Sequence, residues 1–179
     1  NYTLIKVLVG AAEFAVPYYI IAASSLKGTP AGFVGVMTTV YLVAKVVSSL
    51  VLGRIADRFG AIRLLRCSCI CGGAAALMVI LVRDWRLALV MYALLAVAVN
   101  GVMMSNNIAC VAYSGNVRTP IYAAASGLLC APLYVVSSFA GAAIVGRFSY
   151  TAVFLIAMAV YAACALLTFT LKDAKEGGR

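Results

Sequence analysis

The chain has 179 residues, 65% hydrophobic and 11% charged, with a mean hydropathy of +1.08, which excludes a water-soluble globular domain and leaves room for about six membrane helices of about 20 apolar residues each. Its formal charge of +9 comes from 14 Lys and Arg against 5 Asp and Glu, but the basic residues sit at the ends of apolar runs, a positive-inside pattern that argues against nucleic acid as the partner. There is no His, so the usual proton shuttle and the commonest metal ligand are both missing, and membrane-embedded hydrolysis has little support.

Asn1-Tyr2-Thr3 carries neither an initiating Met nor a charged n-region, so the start reads as a chain entered midway and not as a signal peptide. The first apolar run, 5–25, ends at Leu26-Lys27-Gly28-Thr29-Pro30, where Thr29 can cap a helix and Pro30 can take its first position. A second span is predicted over 30–53, followed by the basic segment Gly53-Arg54-Ile55-Ala56-Asp57-Arg58-Phe59-Gly60-Ala61-Ile62-Arg63, read as a short loop in which Gly53 and Gly60 permit a tight turn. Span three covers 64–82 and ends at Arg83-Asp84-Trp85-Arg86, where Trp85 suits the membrane interface and Asp84 can cap. Span four covers 87–114. After a second Thr-Pro start at Thr119-Pro120, span five covers 120–145 and span six 150–171, leaving 172–179 as a polar tail. Pro17 and Pro132, in mid-span, predict kinks.

Cys67, Cys69, Cys71, Cys110, Cys130 and Cys164 all lie in or beside apolar spans, which predicts reduced thiols acting as small hydrophobes. Successive members of Cys67-x-Cys69-x-Cys71 point about 200° apart on a helix, so they do not share a metal, and no cofactor is expected. Gly28-x-x-x-Gly32, Ser137-x-x-x-Gly141 and Ala142-x-x-x-Gly146 are small-residue repeats that allow close helix contact. With both ends and the 53–63 segment on one side, that side holds nine basic residues against four, with Lys45 left inside, which makes it cytoplasmic.

Gly53, Asp57, Arg58 and Gly60 match in register the signature loop of the major facilitator superfamily, and Arg63 continues its basic run, although Ala61 and Ile62 stand where basic residues are usual. Over essentially its whole length the chain resembles one six-helix half of such a transporter. The carboxyl-terminal half fits better, since span four lacks the Arg often carried in the first half and the chain ends in a polar tail. The resemblance implies an all-helical bundle in the plasma (inner) membrane with both ends cytoplasmic, and Asn1 just after the connector from a homologous amino-terminal half. It also implies alternating access around a small-molecule substrate, with Asp57, Arg58 and Arg63 helping to hold one access state closed. A non-transporting six-span subunit or sensor, or a half-size transporter acting as a homodimer, are the rival readings.

Charges inside hydrocarbon cost about 2.5 to 3.5 kcal/mol each on insertion scales, so Glu13 and Lys45 require an explanation. Each lies about eight residues, or about 12 Å, from the cytoplasmic end of its predicted span, and Asn106 falls at the same level on span four. Tyr41 and Lys45 share a stripe with Thr38 and Ser48, while span four carries Asn100 and Asn107 at helical spacing. The predicted site is therefore a Glu13–Lys45 pair facing a cavity, with Tyr41, Asn100, Asn106 and Asn107 around it and Glu13 able to carry a coupling proton. A purely structural ion pair, and Asn side chains that only join helices, are the alternatives.

Overall fold

A computed structural model describes residues 8–10, 15–26, 30–114, 119–147 and 150–169. Six helices of nine residues or more occur among them: α1 (Val16–Ser24), α2 (Phe33–Phe59), α3 (Ala61–Leu81), α4 (Trp85–Ser114), α5 (Thr119–Arg147) and α6 (Tyr150–Thr168). Four stretches, Phe33–Phe59, Ala61–Leu81, Trp85–Val111 and Tyr150–Thr168, are long and apolar enough to cross a bilayer. No strand occurs among the described residues.

The largest departure from the predicted elements lies at the basic segment. It is not a loop: α2 continues through Gly53, Asp57 and Arg58 to Phe59, and α3 begins at Ala61. Arg, Ala and Ile all continue a helix readily, and one internal Gly costs only about 1 kcal/mol, so charge alone does not end α2. The break is the single residue Gly60, with φ 87° and ψ 171°. Its amide closes α2 on the Ala56 carbonyl at 2.9 Å, and its own carbonyl accepts the Leu64 amide at 3.3 Å to open α3. One glycine thus serves as the end of one helix and the start of the next.

Both prolines assigned to the first two spans are also placed differently. Pro17 lies in the first turn of α1, where its fixed φ suits a helix start. Pro30 precedes its helix: α2 starts at Phe33 behind Gly32, whose left-handed backbone (φ 84°) sets the carbonyl to accept Gly35 and Val36. Pro132 sits inside α5, which is continuous through it. At the 83–86 turn the Asp84 carbonyl accepts the Ala88 amide at 3.3 Å, so Asp84 occupies the residue before α4, and Trp85 packs edge-on to Phe33 at 6.0 Å.

Within lipid there is little hydrophobic gain from bringing helices together, so close packing and hydrogen bonds hold the bundle. Tyr19 on α1 meets Phe154 on α6 edge-on at 4.9 Å in a core shared with Met37, Met91 and Leu95. Toward the Gly60 end, Leu52, Ala56 and Leu64 form a second core joined by Met104, and Leu65, Cys69, Tyr161 and Cys164 form a third between α3 and α6. Small residues set the spacing. A Cβ on Gly72 would stand 2.8 Å from the Tyr161 ring, and one on Gly101 would collide with the Ser68 hydroxyl. Cys69 and Cys164 are buried free thiols, whereas Cys67 is exposed.

Candidate functional site

The polar stripe of α2 faces α4. Asn100 is 6% exposed, and its side-chain nitrogen lies 3.0 Å from Ser48 Oγ, 2.9 Å from Ser49 Oγ and 3.1 Å from the Lys45 carbonyl oxygen. Both hydroxyls in turn donate to the Lys45 carbonyl, Ser48 at 3.0 Å and Ser49 at 2.8 Å. The two N–H groups of Asn100 are therefore shared among three acceptors, two serine hydroxyls and the carbonyl on which those hydroxyls' own protons converge. An amide between two hydroxyls on adjacent membrane helices is an interhelical hydrogen bond.

Tyr41, one turn before Lys45 on α2, stacks at a tilt against Tyr92 of α4, with ring centroids 5.2 Å apart. Lys45 itself is half-buried between these two contacts. Its ammonium has neither an ion pair nor a hydrogen bond among the described residues. The residue predicted to pair with it, Glu13, lies outside the described residues.

Asn106 and Asn107 do not join this group. Ser105 donates to the Ala61 carbonyl at 2.8 Å, which puts this part of α4 beside the Gly60 joint and not at the depth of Lys45. The error has a physical source: α2 extends past its predicted end, so counting back from Gly53 sets the wrong level, and α4 continues about 13 Å beyond Ser105. Asn106 accepts the Cys110 thiol at 4.0 Å on its own helix, and Asn107 is exposed.

At the joint, Arg58 from the last turn of α2 and Arg63 from the first turns of α3 both approach the Phe59 ring, at 5.4 and 5.8 Å from its centroid. Arg58 also opposes the negative end of the α2 dipole, whereas Asp57 in the same turn stands where that dipole disfavours a carboxylate. Gly53 lies within α2, where an added Cβ would stand 3.9 Å from the Met104 methyl, so neither a turn nor a close helix approach requires glycine there.

Three features escape sequence reasoning. Ser49 is the third member of the Asn100 group, and the adjacent Ser48-Ser49 pair at i+3 and i+4 from Lys45 was a usable signal. Phe59 is the ring shared by two arginines. Arg66, counted only as a positive-inside charge, donates to the Thr168 hydroxyl at 3.2 Å and the Thr168 carbonyl at 3.0 Å, and lies 3.8 Å over the Phe169 ring. It caps the end of α6 from α3.

Membrane-length helices, single-residue and short turns, and a buried amide seam define an integral membrane helical bundle. The model of the Major Facilitator Superfamily matches residues 3–179, and the chain belongs to that family of secondary transporters. A search among curated proteins finds no match.

Proposed function

We propose that the chain is the carboxyl-terminal, six-span half of a secondary transporter, moving a small polar solute by alternating access against a homologous amino-terminal half. Both ends are cytoplasmic in this reading, and the membrane is the plasma (inner) membrane. Family membership supports the transporter class, and the 29-residue α5 supports a fifth crossing beside the four membrane-length stretches. The observation that carries a binding role is the half-buried Lys45 ammonium, held within a membrane-length helix without an ion pair or hydrogen bond among the described residues. An ionisable group at that depth is a functional group by default.

Roles divide around it. Lys45 contacts the solute, Tyr41 walls the same face, and Asn100 fixes the turn that presents Lys45. Glu13 neutralises Lys45 in the empty state and carries the coupling proton. Asn106 and Asn107 serve the cytoplasmic mouth, beside the gating residues Gly53, Asp57, Arg58, Gly60 and Arg63. Uptake by the native full chain tests this reading. Lys45→Met should abolish uptake without loss of folded protein, and Glu13→Gln should flatten its pH dependence. Full uptake in both variants would sink these residue roles, whereas no uptake by the native full chain would favour the non-transporting six-span subunit, in which the Asn100 seam only joins helices.

A further inference from the structure

Between α2 and α4 runs an open groove of about 440 Å³, walled by Ala44, Val47 and Val51 on one side and by Val90 and Val97 on the other. Val47 and Val51 are 56% and 52% exposed. Seven residues beyond each, on nearly the same line of the helix, stand Arg54 and Arg58, both exposed. Neither has an ion pair among the described residues; the Arg58 guanidinium lies 5.4 Å from the centroid of the Phe59 ring. The stripe is thus apolar along the bilayer core and cationic at the joint, where three arginines (Arg54, Arg58, Arg63) stand against one carboxylate (Asp57).

We propose that this stripe binds one anionic phospholipid, with an acyl chain in the groove and the phosphate on Arg54 and Arg58. The lengths agree: Ala44 to Arg58 spans about 21 Å of helix, and one leaflet with its headgroup is about 20 to 22 Å. Two guanidiniums at the headgroup level select a phosphate-bearing anion over a zwitterion, since each contributes about a fivefold preference at the membrane surface. The exposed Phe59 ring lies at the same interface, against Arg58. The inference requires only that α2 and α4 cross the bilayer, and it stands apart from any transport activity.

The test uses the native full chain, equilibrated in nanodiscs of mixed phosphatidylglycerol and phosphatidylcholine, then released and weighed intact by native mass spectrometry. The wild type should retain one phosphatidylglycerol at about tenfold or more over phosphatidylcholine. Arg54→Gln with Arg58→Gln should bring that ratio close to one, and Val51→Trp, which fills the groove, should remove retention of both lipids. A photo-crosslinking residue at Val47, with both arginines intact, should label phospholipid. An unchanged ratio in the arginine variant, retention that survives Val51→Trp, or a Val47 crosslink to polypeptide instead of lipid would each overturn the proposal.

Discussion

The side-chain amide of Asn100 on α4 reaches the backbone carbonyl of Lys45 on α2 at 3.1 Å, while Ser48 and Ser49 donate to the same carbonyl. The one lysine within a membrane-length stretch of α2 is therefore positioned through its main chain by a residue on another helix. That arrangement separates two effects that a cavity lined by both residues would merge: support of the helix pair, and contact with a solute.

Asn100→Ala removes the donors and leaves the buried Ser48 and half-buried Ser49 oxygens without them. Hydrogen bonds between membrane helices are worth about 0.6 kcal/mol on average and up to about 1.7 kcal/mol, and three contacts converge here, so a loss of about 1 to 2 kcal/mol is expected. Thermal unfolding in detergent should show the lower midpoint. Asn100→Leu should fall further, because the added bulk has to enter the α2–α4 contact.

Gly60 holds φ 87° with ψ 171°, a region open essentially to glycine alone, and it is the whole of the α2–α3 connection. Gly60→Ala should cost about 1 to 3 kcal/mol. Inserting two glycines after Phe59 in that variant should restore stability by relieving the constraint. If Gly60→Ala unfolds at the wild-type temperature, the single-residue joint is not a feature of the native protein.

How far these features were legible depends on what each required. Helical character and apolar spans rest on composition and local hydropathy, and the family pattern on the spacing of Gly53, Asp57, Arg58 and Gly60. The course of the backbone through those residues could not, because a polar segment at a membrane interface is free to remain helical and only one positive φ was needed to turn the chain. Depth was lost with it: Asn106 was assigned to Lys45 by counting, whereas Ser105 is tied to Ala61. Asn100, Ser48 and Ser49 show the limit most clearly. Helical spacing identified a polar stripe, but whether an amide faces a cavity or a neighbouring hydroxyl depends on helix rotation and separation.

Gly101 and Ser68 are such a separation. A methyl group on Gly101 would collide with the Ser68 hydroxyl and stand 3.1 Å from its Cβ, with Leu52 at 3.4 Å on the other side. Overpacking of a close contact costs about 1 to 3 kcal/mol, so Gly101→Ala should lower the unfolding midpoint. Ser68→Gly in the same chain should recover part of the loss, a coupling that a double-mutant cycle measures directly. Additive effects would mean that α3 and α4 do not approach at this point.

Arg66 meets α6 with a fork: one nitrogen reaches the Thr168 hydroxyl, another reaches its carbonyl, and the guanidinium plane covers Phe169. Hydrogen bonds to a charged group contribute about 1.5 to 3 kcal/mol, and an ammonium cannot reproduce the planar fork. Arg66→Ala and Arg66→Lys should therefore both speed tryptic cleavage at Lys172, with the Lys variant recovering only part of the protection. Equal protection in wild type and Arg66→Ala would show that the end of α6 is held by other contacts.

Lys45 offers the sharpest separation of structure from activity. Its carbonyl does the structural work, accepting from Ser48, Ser49 and Asn100, and any residue at position 45 supplies that carbonyl. The side chain is half-buried at membrane depth, where a cation is costly and an apolar chain of similar length is not. Lys45→Met combined with Glu13→Gln, which leaves no carboxylate unpaired, should leave the unfolding midpoint unchanged or raise it, while uptake falls at least about a hundredfold, about 2.8 kcal/mol at about 1.4 kcal/mol per decade. Lys45→Arg keeps the charge but alters its reach, and should retain activity with a raised KM. If that double variant instead destabilises the protein by several degrees, the ammonium holds contacts beyond Glu13 and its place is in the scaffold, not in the solute path.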